Sequence, residues 1–166
     1  MTLTRGWRPM TADDLDDVVA IAAIGFPGHP EDRACFASRL AVFPEGCFIL
    51  DGEGGVKGYL ITYPWAADSA PVLNRRIAAV PEDASVLYLH DLALHPDVRG
   101  GGWSRSAMDK VLALARSGGR PTIALVAVND AVGFWQGHGF AVRQTPAMAA
   151  KLASYGADAR YMVRTV

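Results

Sequence analysis

Arg99-Gly100-Gly101-Gly102-Trp103-Ser104 sets a cation, three consecutive glycines and a hydroxyl directly ahead of a helical run. The run is Arg105 to Arg116, and an apolar strand, Ser85 to Leu94, comes before the loop. Glycine has no Cβ, so its backbone can press against a ligand. The amides of a helix's first turn have no intrahelical acceptor and sit at the positive end of the dipole. Strand, glycine loop and helix start together make a cradle for an anion, most often a phosphate. A nucleotide P-loop ends in Gly-Lys-Ser/Thr, and no lysine is here. A dinucleotide fingerprint opens a βαβ unit with G-x-G-x-x-G, whereas this loop lies deep in the chain. A surface turn that caps a helix and binds nothing is the alternative.

The spacing Arg99-x-x-Gly102-x-Ser104 resembles the acetyl-CoA pyrophosphate loop of the GNAT N-acetyltransferase superfamily, Gln/Arg-x-x-Gly-x-Gly/Ala. Ser104 departs from it at the last position, but serine is small and its hydroxyl can donate to a phosphate. A second match is Asn129, then Ala131-Val132-Gly133-Phe134-Trp135, then Gly139-Phe140. The resemblance implies acetyl-CoA as co-substrate, cradled by Arg99, Gly100, Gly101, Gly102, Trp103 and Ser104. It implies that backbone amides of Leu92, Ala93 and Leu94 bond the pantetheine and polarise the thioester carbonyl as an oxyanion hole. It also places Asn129, Phe134 and Trp135 beside the pantetheine arm, where two central strands splay apart. Trp135 stands where the family usually carries a tyrosine acid, and indole cannot supply that proton at neutral pH. Phe134 and Trp135 serve equally well as core aromatics.

Leu87-Tyr88-Leu89-His90-Asp91-Leu92-Ala93-Leu94-His95 is similar to the arylalkylamine N-acetyltransferases, which carry histidines at alternate positions of this strand. His90 falls on the second position, and Tyr88 replaces the first. The likeness implies an amine acceptor, with His90 as base or proton relay. An alkylamine is mostly ammonium at neutral pH, and an imidazole of pKa about 6.5 can take its proton. Asp91 is the next candidate. Alternation puts Tyr88, His90 and Leu92 on one face and Asp91 on the other, and a bulge would shift that facing. Tyr155 and Tyr88 are candidates for the missing acid, with water as the alternative. The irregular segments Phe26 to His29 and Tyr63 to Trp65, with Tyr155, are expected to shape the acceptor pocket, Phe26, His29 and Trp65 as its walls. His29, His90, His95 and His138 show no ligand spacing, so no metal is expected.

The elements that must position these groups follow from local patterns. A strand is expected at Thr4 to Arg8, and a helix that starts at Thr11, with Asp14 three residues on, and ends at Gly25. A second helix spans about Glu31 to Val42. Phe48 to Asp51 and Val56 to Tyr63 form a hairpin across Gly52-Glu53-Gly54-Gly55. Pro64 to Ala84 is a long connection, with a short helix around Leu73 to Ile77. Thr122 to Val128 is a buried strand, and Asn129 caps the helix that Gly139 ends. Phe140 to Gln144 is a strand, Thr145 to Gly156 a loop with a helical turn, and Ala159 to Val166 the last strand. The order β-α-α-β-β-β-α-β-α-β-β matches the GNAT fold, an α/β (α+β) architecture. It calls for a mixed sheet of six to seven strands with four or so helices, in one domain over residues 1–166.

Composition narrows the function classes. The 166 residues are 51% hydrophobic and 20% charged, with net charge -1. No basic stripe points to nucleic acid and no apolar run to a membrane span. Two cysteines without metal spacing, and an N-terminus without a signal-peptide core, suit a cytoplasmic protein with reduced thiols. The expected function is acetyl transfer from acetyl-CoA to a primary amine of a small molecule by direct attack, with a homodimer left open. The alternatives are a non-catalytic acyl-CoA sensor and an enzyme acetylating a peptide or protein amine.

Overall fold

The computed structural model describes residues 6–166. Strands β1 (Gly6–Pro9), β2 (Cys47–Gly52), β3 (Gly55–Ala66) and β4 (Ala84–Leu94) are successive antiparallel neighbours. β5 (Thr122–Ala127) runs parallel to β4. β7 (Arg160–Thr165) pairs antiparallel with β5, and the two-residue β6 (Ala141–Val142) closes the edge. The sheet order is β1-β2-β3-β4-β5-β7-β6. Of the strand expected at Thr4 to Arg8, the first two residues lie outside the described ones.

Helices α1 (Leu15–Gly25) and α2 (Arg33–Val42) bury Leu15, Val18, Ile21 and Phe36 on one sheet face, against Tyr59, Ile61 and Tyr63. Helices α3 (Trp103–Ser117) and α4 (Val132–Gly137) cover the other face through Ala107, Met108, Val111 and Trp135. A fifth helix, α5 (Pro146–Lys151), joins β6 to β7 where the sequence suggested only a turn. Its start is local: the Thr145 side chain accepts from the Met148 amide, and Pro146 fills the first turn. Among the described residues no helix is long and apolar enough to cross a membrane.

Three expectations are corrected. No helix forms around Leu73 to Ile77, because Asn74 sits at φ 57 and turns the chain left-handed. Asn129 does not cap α4; it and Asp130 form a left-handed turn (φ 56 and 59), and the helix starts at Val132 behind Ala131. β3 continues through Pro64 to Ala66. β2 pairs only as far as Ile61, so Pro64 can lack an amide on that open side.

The correction that matters most lies in β4. Ile61 pairs with Asp91 but Thr62 with Leu89, so His90 is an extra, bulged residue. Before the bulge Val86 and Tyr88 face the α1/α2 side, and after it Ala93 does. Leu92 packs on the α3 side instead. His90 and Asp91, which strict alternation would separate, therefore turn toward the same side.

Candidate active site

The turn after α1 delivers Glu31 just ahead of α2, and Arg39 lies on the helix face that carries Cys35 and Phe36. Arg39 is wholly buried (0% exposed), and its guanidinium bonds both Glu31 oxygens. A charge so placed needs a buried counter-charge. Glu31 Oε1 also lies 2.8 Å from His90 Nε2, and the Asn74 amide donates to Oε2 at 3.0 Å. Burial alone would raise the Glu31 carboxyl, but His90 and Arg39 outweigh it and hold it down at about 2. An ionised carboxylate only accepts, so His90 Nε2 carries a proton. His90 Nδ1 lies 2.9 Å from the Tyr63 hydroxyl, its hydrogen-bond partner. Both ring nitrogens are committed, and the side chain is 3% exposed.

Asp91 differs. Tyr59 donates to its Oδ2 at 2.8 Å, and no other side chain bonds the carboxylate among the described residues. Burial raises its pKa; His90 opposes that and Glu31 adds to it. The ligand atoms of Glu31, His90 and Asp91 lie within 4.8 Å of one another, but hydrogen bonds occupy those of Glu31 and His90.

Glu31, His90 and Asp91 line an open pocket, shared with Phe26, His29, Leu73, Leu92, Phe134, Trp135 and Tyr155. Tyr88 is fully buried in its wall, tilted against Tyr63 and His90. Tyr88 and Tyr155 hydrogen-bond through their hydroxyls, and the Tyr155 hydroxyl donates to the Pro71 carbonyl. Burial raises the pKa of both phenols. The Tyr155 carbonyl lies 2.7 Å from His29 Nε2. The turn after α1, the 67–83 connection and the loop after α5 are thereby bonded together over one end of the pocket. Trp65 does not line it; the ring packs edge-on behind Tyr63 at 5.7 Å.

The glycine loop stands at the other end of β4. Gly100 and Gly102 have φ of 82 and 81, and a Cβ at either would enter open space. Ser106 N bonds Gly102 O at 3.2 Å as the helix begins, which leaves the amides of Trp103, Ser104 and Arg105 without an intrahelical acceptor. Arg99 Nε donates to the Leu94 carbonyl at 3.2 Å and ties the loop to the strand end. β4 and β5 pair only at Leu87–Ile123 and Tyr88–Ala124, so they part alongside Leu92, Ala93 and Leu94. Phe134 (48% exposed) and the buried Trp135 flank that gap from α4, stacked edge-on at 4.9 Å. Asn129 is exposed in its left-handed turn, off the pocket lining.

Reading the sequence missed Glu31 and Arg39. The available signal was Arg39 itself, a charge on the apolar stripe of Cys35 and Phe36, which demands an acid nearby. Which acid it would find depends on how α2 docks, and no local pattern encodes that.

The family model described as Acetyltransferase (GNAT) family matches residues 12–140. A comparison with curated protein sequences returned no match. Among solved structures, the GphF GNAT-like decarboxylase in complex with isobutyryl-CoA superposes with a TM-score of 0.79 at 19% identity, covering 96% of this chain and 98% of that one. The loading GNATL domain of CurA from Lyngbya majuscula follows at 0.76 and 15%, covering 98% of each. Arabidopsis thaliana Naa50 with the bisubstrate analogue CoA-Ac-MVNAL gives 0.74 and 14%, covering 99% and 100%. Those identities establish a shared fold, and the family match spans most of the sequence that builds it. The chain belongs to the acetyltransferase (GNAT) family.

Proposed function

We propose that this protein is a cytoplasmic, single-domain N-acetyltransferase that moves the acetyl group of acetyl-CoA to a small primary amine. The observation that carries the reading is the Asp91 carboxylate. It lines the pocket beside the gap between β4 and β5, and one oxygen is unclaimed among the described residues. The loop fits the cofactor: Gly100 and Gly102 leave room for a pyrophosphate, and the first-turn amides of α3 can bond it. Acetyl-CoA supplies an activated thioester, and Leu92, Ala93 and Leu94 would hold its arm at the splayed edge.

Asp91 takes the proton from a bound ammonium and frees the nitrogen lone pair for attack. A carboxylate whose pKa is raised by burial is a stronger base than an ordinary one. His90, locked between Glu31 and Tyr63, positions and polarises the cluster without meeting the amine. No side-chain acid is required, because a thiol of pKa about 8.5 departs readily as thiolate. The bonded roof of His29, Tyr155 and Pro71 supports a small acceptor over a protein chain. The two buried free cysteines support a reducing compartment.

The test is thiol release from acetyl-CoA across arylalkylamines, polyamines, amino acids and short peptides, with acetylated products identified by mass. Turnover of a small amine supports the reading. Cofactor binding without turnover of any acceptor would leave a sensor module, and turnover of peptides alone would move the acceptor class.

A further inference from the structure

We propose that His29 makes the acceptor site select nitrogen over oxygen and sulfur nucleophiles, through a hydrogen bond from the acceptor to its Nδ1. The inference rests on the amine-acetylating reading above. His29 Nε2 lies 2.7 Å from the Tyr155 carbonyl, which can only accept. Nε2 therefore carries a proton, and in the singly protonated ring Nδ1 is a bare lone pair. Nδ1 is buried and has no partner among the described residues. Buried polar atoms in folded proteins are nearly always bonded, so an orphan on a pocket wall points to a ligand that supplies the missing donor. The neighbouring hydroxyls are engaged: Tyr155 donates to Pro71 and Tyr59 to Asp91, and Tyr63 is bonded to His90.

Proton counting then gives the selectivity. An ammonium R–NH3 surrenders one proton to Asp91 and becomes R–NH2, keeping two hydrogens and gaining the lone pair that attacks. One remaining hydrogen satisfies His29 Nδ1. An alcohol or thiol that surrenders its only acidic proton to Asp91 has none left, so its lone pairs face the lone pair of Nδ1. A site built to accept a hydrogen bond rejects strongly an analogue that cannot donate one.

The experiment compares a matched amine, alcohol and thiol on the same carbon skeleton. His29→Gln keeps an N–H for the Tyr155 carbonyl and removes the acceptor at Nδ1. The expected result is a fall of tenfold or more in kcat/KM for the amine, with values for the thiol unchanged or higher and acetyl-CoA affinity unchanged. Equal losses for amine and thiol, or no loss for either, would overturn the proposal. A second arm needs no turnover: the 15N resonance of His29 Nδ1 should move when the amine is titrated onto the CoA complex, and stay fixed with the matched alcohol. An Nδ1 resonance of a protonated nitrogen in the free protein would also sink it. Wild-type protein that acetylates no amine, yet shows the 15N shift, would count against the enzymatic reading and leave the His29 contact standing.

Discussion

Glu31 Oε1 sits 2.8 Å from His90 Nε2, and this contact takes the strand's histidine out of reach of an acceptor. With Tyr63 on the other nitrogen, the ring has no lone pair to offer. On the proposed mechanism the base is instead the next residue of the bulge, Asp91.

Asp91→Asn should lower kcat by about 10²–10⁴-fold, the usual cost of losing a general base, with calorimetric affinity for acetyl-CoA unchanged. Asparagine can still accept the Tyr59 hydrogen bond, so the strand stays in place. In the wild type, kcat/KM should fall on acidification through a pKa above the ordinary carboxylate range, because the base must be ionised. That limb belongs to the Glu31–His90–Asp91 cluster as a whole, and it should vanish in the variant. His90→Gln that abolishes turnover while Asp91→Asn spares it would reverse the two assignments.

The same substitution should stabilise the fold. Asp91 has a folded pKa above its ordinary 3.8, so the native state holds that proton more tightly than the unfolded chain does. Stability is therefore lost as pH rises from 3.8 through the folded value, and the loss persists at neutral pH. Melting at pH 7 should show Asp91→Asn above wild type, with the gap closing in acid. A lower melting temperature at pH 7 would contradict this.

Glu31 has the opposite sign. Its folded pKa of about 2 lies below the ordinary 4.5. Its contribution is complete above about 4.5 and is lost as pH falls toward 2. Glu31→Gln leaves Arg39 buried without its counter-charge, which should cost about 3–5 kcal/mol in urea unfolding at pH 7. The variant should also show a shallower acid dependence than wild type.

Tyr155→Phe should lower stability by about 1–3 kcal/mol, because it strands the Pro71 carbonyl and the Tyr88 hydroxyl in a buried place. Its kcat should change by less than tenfold, since that hydroxyl directs its proton to Pro71 and away from the pocket. A tenfold fall in kcat with constant KM for acetyl-CoA would restore Tyr155 as an acid.

Gly102→Val should cost about 1–2 kcal/mol, since φ 81 is left-handed and disfavours a side chain even where space is open. Calorimetry should show weaker CoA binding, because the new side chain would enter the open space that the proposed pyrophosphate needs. Undiminished affinity would remove this loop from the cofactor site.

Much of this was legible in the chain. The glycine loop, the α3 helix and the apolar β5 each depend on neighbours in sequence. Thr145-Pro146 signalled α5 as well, though a six-residue helix carries little periodicity. The site itself was legible only in part. His90 and Asp91 stood out by type, but their common facing comes from a bulge set by pairing with Thr62 and Ile61. Glu31 reaches His90 across 59 positions. Trp65 looked like a pocket wall because Tyr63 to Trp65 reads as an irregular segment, but β3 runs on through it and packs the ring edge-on against Tyr63.

The narrow pairing of β4 with β5 has a mechanical side. Two residue pairs join the block β1–β4 to the block β5, β7, β6, and beyond them the sheet is a seam. Backbone hydrogens along such a seam exchange with solvent far sooner than those locked between β3 and β4 or between β5 and β7. A ligand lying across the seam would stitch the two blocks together and slow exchange on both sides at once, including at residues it never touches.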